Sequence, residues 1–501
     1  MCLLTRLRKN QGTLPVVARH TALGFLIFLP SCQIPDQRYA ESAATLPEHF
    51  ASKQAVTTDS AAQLRIDEFF QDPVLLGLIN QAMAGNQELK ILSEEVEIAN
   101  NEILLRRGAY MPFVSLKNGA GYERSSLFTP LGTAERELSF QPGKHFSDPL
   151  PNFLLAADIS WQVDIWHKLR NARDAASLRY LATNEGRNYV VTRLVAEIAE
   201  HYYSLMAFDN RLETLEQTIT LQKESLRIAK AKKDAGRDTE LAVQRFTAEV
   251  SKNESEVLIV KQEIIEMENR LNFLLGRFPQ QIVRPSAQFL DLQMHALSAG
   301  VPSQLLRNRP DIRQAEHELA AAGLEVEVAR AEFYPSLDIT AGLGFQAFNP
   351  KYLFNPDALL GGVAGEFVTP LMNKTAIQAA YKTANAKQLQ SIYQYQKVIL
   401  DAFTEVMNRI SMAENYQKSI DIKKKQLAAL ELSVSTANKL FQNARAEYSE
   451  VLFAQRDMLE ARMILIETKR KQLSAVIGSY QALGGGGTQE NGASLTLPPH
   501  Q

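Results

Sequence analysis

The stretch RAEFYPSLDITAGLGFQ (Arg330–Gln346) changes its period at Pro335. Before the proline, apolar and charged residues interleave at three- and four-residue spacing, which predicts helix. After it, Leu337, Ile339, Ala341, Leu343 and Phe345 alternate with Ser336, Asp338, Thr340, Gly342, Gly344 and Gln346, the two faces of a strand. The switch happens twice. RGAYMPFVSLKNGAGYE (Arg107–Glu123) aligns with it without a gap, setting Pro112 on Pro335, Gly119 on Gly342, Gly121 on Gly344 and Tyr122 on Phe345. There Val114, Leu116, Ala120 and Tyr122 share one face; Ser115, Lys117, Gly119, Gly121 and Glu123 share the other. A repeat of this size predicts two copies of one structural unit.

Each first strand is followed by a Pro- and Gly-bearing loop and a second strand. In copy one the loop covers about 124–152 and the strand is Leu154–Asp164, with Leu155, Ala157, Ile159, Trp161 and Val163 on its apolar face. In copy two the loop covers about 347–358 and the strand is Leu359–Thr369, its pattern diluted by glycine and alanine. The chain is thus expected to carry β-hairpins at 112–164 and 335–369. A tilted strand of roughly ten residues is long enough to cross a bilayer. In lipid, however, an open sheet edge leaves backbone groups unpaired at several kcal/mol each, so only closed barrels survive. The smallest membrane barrels have about eight strands, and four must therefore close with copies of the same chain. Tyr122, Trp161 and Phe345 on the apolar faces suit a lipid interface. The competing reading is a small sheet packed on helices in a soluble protein.

Most of the remainder reads as long helix. Val191, Ile198, Leu205, Leu212, Ile219 and Leu226 are spaced by seven, as are Val243, Val250, Val257, Ile264 and Leu271. A longer series runs Ile392, Ile399, Val406, Ala413, Ile420, Leu427, Val434 and Phe441, and a last one Leu452, Leu459, Ile466, Leu473 and Tyr480. Heptads sustained this far predict coiled-coil packing. A helix over 168–233 would reach about 100 Å, beyond any single globular core. Reversal points at 232–241 and 441–451 make the helices antiparallel pairs, with Gly236 a natural stop and Ala444 a poorer one. The resulting plan is a first repeat at 64–275, a Pro-punctuated connecting segment at 276–309 and a second repeat at 310–483. A flexible tail at 484–501 contains a Gly484–Gly487 linker.

The N-terminus looks processed. Arg6, Arg8, Lys9 and Arg19 precede the apolar run Ala22–Leu29, which is too short to span a bilayer and reads as a secretory signal over 1–31. It ends in LPSC (Leu29–Cys32), which resembles the lipobox of bacterial lipoproteins despite Pro30. Cys32 is then the expected lipidation (palmitate) site, opening a lipid-anchored segment at 32–63. With only Cys2 and Cys32 present, removal of the leader excludes an intrachain disulfide. A formal net charge of −2 gives no reason to expect nucleic acid. Eight histidines show no metal spacing, and His317 opens a zinc-protease-like box without its second histidine. His201 reads as helix packing. Gly361–Gly365 and Gly484–Gly487 lack the context of a phosphate cradle. No metal, cofactor or enzymatic reaction is expected.

The segment LLRNRPDIRQAEHELAAAGLEVEVARAEFYPSLDIT (Leu305–Thr340) resembles the signature of the TolC-like outer membrane factors, in the lipoprotein branch serving multidrug efflux pumps. DISWQVDIWHKLRNAR (Asp158–Arg173) and EYSEVLFAQRDMLEARM (Glu447–Met463) are similar to two further segments of that family, in the same order. The resemblance implies a mainly α protein with membrane β: a homotrimer whose coiled coils form a periplasmic α-barrel below a 12-stranded transmembrane β-barrel, four strands per chain. It implies an exit duct for drugs or other small molecules in the cell outer membrane. Its partners would be an inner-membrane pump and a periplasmic adaptor gripping the tips at Gly236, Arg237, Asp238, Ala444 and Glu447. Gln33 is not the aspartate that retains lipoproteins in the inner membrane. The family places an acidic residue at the start of the last hairpin helix, facing the channel axis. Glu450 stands there, and three copies would form a negative constriction favouring cations. Arg445, Tyr448 and Glu447 are candidates for holding the tip closed. Val114, Leu116, Tyr122, Ile159, Trp161, Leu337, Ile339, Leu343 and Phe345 are the expected lipid-facing set. Departures from the family pattern are His167 and Asn373 at glycine positions, Ala444 at a tip glycine, and Ala242 and Phe453 at acidic positions. The rival from another class is a lipid-anchored periplasmic coiled-coil scaffold or adaptor without a pore.

Overall fold

The computed structural model describes residues 34–40, 46, 47, 50, 64–294, 300–370, 374–443 and 445–486. Cys32, Gln33, Asn373, Ala444 and the signal segment lie outside them. In chain order the helices are α1 (Ile66–Phe70), α2 (Pro73–Gly85), α3 (Gln87–Ala109), α4 (Pro130–Glu137) and α5 (Lys168–Asp234). They continue with α6 (Glu240–Leu274), α7 (Leu305–Asn308), α8 (Pro310–Ala331), α9 (Lys374–Gln442) and α10 (Tyr448–Ala482). The strands are β1 (Phe113–Glu123), β2 (Ser139–Gln141), β3 (Lys144–His145), β4 (Leu150–Val163), β5 (Ser336–Ala347) and β6 (Leu359–Val368). Two compact units emerge, one of Arg106–Arg173 and Gly323–Leu389 with residues up to Tyr39, the other of the rest.

In the first unit the two hairpins join along β4 and β5 into one antiparallel sheet, ordered β1-β4-β5-β6. Its register gathers the alternating apolar residues on one face. Val114 lies opposite Ile159, Ile159 opposite Ala341 and Ala341 opposite Val363. One row along, Trp161, Ile339 and Gly365 align, as do Leu155, Phe345 and Leu359. Leu116 and Leu343 meet through Ala157, while Leu337 lies between Val163 and Phe367. A shift of one residue in any strand would have scattered this set. Val114, Leu116, Tyr122, Leu343, Val363 and Phe367 are all more than half exposed in the single chain. The opposite face is polar: Lys117 pairs with Asp158 at 2.7 Å, and Gln346 donates to Asn152 at 2.9 Å. Gly344 sits on this face because a Cβ there would come within 2.5 Å of the Ala156 Cα.

The helix-to-strand switch is built from turns and indoles. Met111 N–H bonds the Gly108 carbonyl, and Tyr334 N–H that of Ala331, so each helix closes before its proline. Proline then disfavours helical backbone at the preceding residue. Trp161 Nε1 donates to the Tyr110 carbonyl at 3.0 Å, and Trp166 Nε1 to the Pro335 carbonyl at 2.8 Å. The end of β4 and the turn just past it thereby fasten both helix-to-strand switches. Past β4, Asp164 caps α5 by accepting from the Leu169 and Arg170 N–H groups, both at 3.0 Å. His167 adopts φ 57°, the left-handed conformation that glycine adopts most readily.

Two expectations are corrected. The stretch 124–152 is not simply a loop: it holds α4, the β2–β3 ribbon and the first residues of β4. Thr129 caps α4, and Phe140 and Phe146 pack on Phe348 from the second loop, at 4.8 and 5.2 Å between centroids. The linker reading of the tail fails at Gly484–Gly486. Gly485 N–H bonds the Tyr480 carbonyl, and a Cβ at Gly484 would strike the Asn308 carbonyl at 2.4 Å. These glycines close α10 against its neighbours.

In the second unit the heptad positions are the core. All eight residues from Ile392 to Phe441 in the α9 series are buried. Tyr202, Leu205, Leu271 and Leu473 enter one large cluster with Phe69 and Phe289. The connecting segment packs through Phe289 and through Arg284, whose guanidinium holds both oxygens of Asp209 and one of Glu268. The signature Arg309 is buried where it joins Asp311, Glu405 and the Ala482 carbonyl. Burial works against its charge, yet Asp311 and Glu405 outweigh this and raise its pKa.

A left-handed L-residue costs roughly 1–2 kcal/mol, partly offset by the freedom glycine loses on folding. His167→Gly is therefore expected to stabilise the protein by about 0.5–1 kcal/mol, read as a higher thermal midpoint, while His167→Ala brings no gain. A midpoint unchanged in His167→Gly would refute strain at this turn.

Candidate functional site

Two helical hairpins, α5–α6 and α9–α10, end in tips of matching construction. At the first, Gly236 has φ 70°, with Gly236 N–H on the Lys233 carbonyl and Arg237 N–H on that of Lys232, both 2.8 Å. This six-to-one closure satisfies the last carbonyls of α5. Asp238 accepts from the Thr239 N–H at 2.8 Å, and Thr239 caps α6 through Ala242 N–H. At the second tip Arg445 N–H reaches the Leu440 carbonyl at 2.8 Å, the same offset, and Glu447 takes the N-cap position of α10 in extended conformation. The repeat therefore extends to the turns.

The tips pack on each other. Ala229, Val243, Phe246, Phe441 and Val451 form a buried cluster, with Leu226, Tyr448 and Leu452 at its margin. Lys232 crosses between the hairpins. Its ammonium donates to the Phe441 carbonyl and lies 3.5 Å from the centroid of the Phe441 ring, a cation–π contact. Burial lowers the Lys232 pKa, partly opposed by Asp238. Two buried polar pairs stand beside this cluster. Asn253 Nδ2 donates to Gln222 Oε1 at 2.8 Å within the first hairpin, and Gln455 Nε2 donates to Ser225 Oγ at 3.0 Å between the hairpins.

The structure thus unites some expected residues and separates others. Gly236 makes the first turn, and Tyr448 packs on the tip cluster. Arg237, Arg445, Glu447 and Glu450 are exposed; among the described residues no side-chain bond holds Arg445, Glu447 or Glu450. Among the described residues the charged contact between the tips is Lys232 on Phe441, which sequence reasoning missed. A lysine in the last turn of a helix reads as a solvated charge favourable to the dipole, and nothing in its spacing reveals a distant carbonyl.

A protein of paired coiled-coil helices with matched tips, bearing a four-stranded sheet with one exposed apolar face, falls in the class of membrane channels. The profile of the outer membrane efflux protein family matches residues 78–277 and 301–485. The chain belongs to that family: its place is the outer membrane and its work is efflux. The cation efflux system protein CusC of Escherichia coli K12 is 27% identical over 465 residues, covering 91% of this chain and 97% of CusC. The solvent efflux pump outer membrane protein SrpC of Pseudomonas putida is 28% identical over 475 residues, covering 92% and 97%. A crystal structure of CusC superposes with a TM-score of 0.77 at 25% identity, covering 90% of this chain and 99% of that one. The open-state MtrE channel of Neisseria gonorrhoeae gives 0.79 at 22% identity, covering 91% and 98%, a likeness of fold.

Hydrogen bonds from charged donors contribute about 1.5–3 kcal/mol; for half-exposed Lys232 roughly 1 kcal/mol is a fair share, or about fivefold in local opening. Lys232→Met is expected to speed hydrogen exchange of the Val243, Phe246 and Val451 amides by about that factor. Exchange equal to wild type would show that the apolar cluster alone closes the tip.

Proposed function

We propose that the chain closes as a homotrimer into a continuous passive duct, the exit stage of a tripartite efflux system, and catalyses no reaction itself. The observation that carries the reading is the open sheet: β1 and β6 are its unpaired edges, and one face is apolar and exposed. Lipid does not tolerate such edges. Three copies supply twelve strands, enough for a closed barrel. Val114, Leu116, Tyr122, Ile159, Trp161, Leu337, Ile339, Leu343 and Phe345 then meet lipid, and the Lys117–Asp158 face lines the lumen.

The helices support the same closure. Ile91, Ile98 and Leu105 form an exposed stripe at seven-residue spacing on α3, as do Tyr393 and Leu400 on α9 and Leu258 and Ile265 on α6. Apolar seams with this period await partner helices. Twelve long helices from three chains would seal them into an α-barrel. Lipidation of Cys32 adds a tether to the outer membrane. The tips, with Gly236, Arg237, Asp238, Ala444 and Glu447, face a periplasmic adaptor, and an inner-membrane pump supplies the energy. The cargo is small molecules, the class to which the cations and solvents named for CusC and SrpC belong. Exposed Glu450, gathered in three copies at the narrow end, makes the entry cation-selective; Arg445 and Tyr448 contribute to its closure between copies.

Purified full-length protein should cross-link as a trimer and conduct in planar bilayers. Glu450→Gln should reduce cation preference severalfold with barrel assembly intact. A monomer without conductance leaves only a tethered scaffold, and unchanged selectivity in the variant removes Glu450 from the filter.

A further inference from the structure

The residues just past the proposed lipid site are seated on protein. Asn385 of α9 is buried, and its side chain grips the backbone of Arg38 from both sides: Oδ1 accepts from Arg38 N–H and Nδ2 donates to the Arg38 carbonyl, each at 3.0 Å. Gln37 Nε2 donates to Gln388 Oε1 at 3.0 Å, one helical turn along the same face. Ile34 packs into a cluster of Val326, Ala329, Phe333 and Tyr381, with Phe333 and Tyr381 edge to face at 5.9 Å. Val326 and Ala329 lie one turn apart on α8 with Phe333 just past its end, and on α9 Tyr381, Asn385 and Gln388 share a face. The segment therefore lies along the seam where α8 meets α9. Phe333 stands three residues before β5, so the seat is at the point where helix gives way to strand.

A side-chain amide that satisfies both backbone groups of one residue fixes that residue's position and direction, and burial makes each bond costly to lose. Such an arrangement is not needed for a loose tether. Only Gln33 separates Ile34 from Cys32. We propose that residues 34–40 form a docking strap, with Asn385 as its positioning residue, which holds the acylated N-terminus at the base of the sheet. This rests on the lipidation reading above. With the strap seated, the lipid enters the leaflet at a set place beside β5, and protomers meet in the membrane already oriented for edge pairing. Fixing the orientation raises the effective concentration of productive encounters without any new contact between copies. A lipid on a free tether gives membrane retention alone.

The test uses the full chain in a Gram-negative host. A Gln37→Cys, Gln388→Cys pair should be bridged by a short bifunctional thiol reagent in native membranes, and Asn385→Ala with Ile34→Ser should abolish the bridge. Asn385→Ala/Ile34→Ser without the added cysteines should incorporate labelled palmitate and reach the outer membrane as wild type does. Its yield of heat-resistant trimer should fall by about threefold or more. Asn385→Asp keeps the acceptor for Arg38 N–H but loses the donor, so its yield should lie between the two. Absence of the 37–388 bridge in the parent, or wild-type trimer yield in the acylated double variant, overturns the proposal. Lack of palmitate in wild type would instead overturn the lipidation reading, while the bridge would still report the seat.

Discussion

A row of unpaired N–H and C=O groups cannot remain open in hydrocarbon, and that constraint governs the rest of this molecule. Its sheet has four strands, too few to curl shut, and exposes on one face the side chains that lipid favours. The sheet presents one continuous apolar face between two open edges, β1 and β6. The face register is continuous from β1 to β6, Trp161 of β4 and Trp166 just past it hold the two helix-to-strand turns, and Gly344 lets the polar face approach itself closely.

Periodicity made most of this legible beforehand. A period of two assigns each strand residue to a face, and the observed pairing keeps the assignment across three ladders, from Val114 through Ile159 and Ala341 to Val363. The α9 heptads, buried without exception from Ile392 to Phe441, were equally readable, because a seam that repeats every seven residues must face a partner helix. What escaped was short-range or assembled from far apart. Helix α4 has eight residues and owes its start to the Thr129 cap. The ribbon β2–β3 rests on Phe140 and Phe146, whose partner Phe348 belongs to the other repeat. Gly484–Gly486 look like a linker in sequence and become a packed helix stop only because Asn308 and Tyr480 occupy the space of their missing side chains.

The tips divide in the same way. Gly236 announces its turn, since a helix stop in left-handed conformation selects glycine. Lys232 does not announce itself. Its acceptor is a backbone carbonyl 209 residues away, a group every residue carries, so no residue type marks the pairing. The buried amides are half visible: Gln222, Asn253 and Gln455 interrupt apolar seams, but which pairs with which depends on three helices meeting at one level.

Those amides also limit how the tip can move. Apolar heptads alone tolerate a slip of one repeat, since leucine packs on leucine in either register. A polar pair does not, because a slip parts donor from acceptor, at a cost of about 1–3 kcal/mol for each buried group left unpaired. Gln222 with Asn253 locks α5 to α6, and Ser225 with Gln455 locks α5 to α10. Sliding along the helix axes is thereby opposed at both seams. Beyond the pins, among the described residues, the hairpins are joined by the small cluster around Phe246 and by the reach of Lys232 to Phe441. Any separation of the tips that keeps these pairs intact therefore has to open the cluster around Phe246 and break the contact of Lys232 with Phe441.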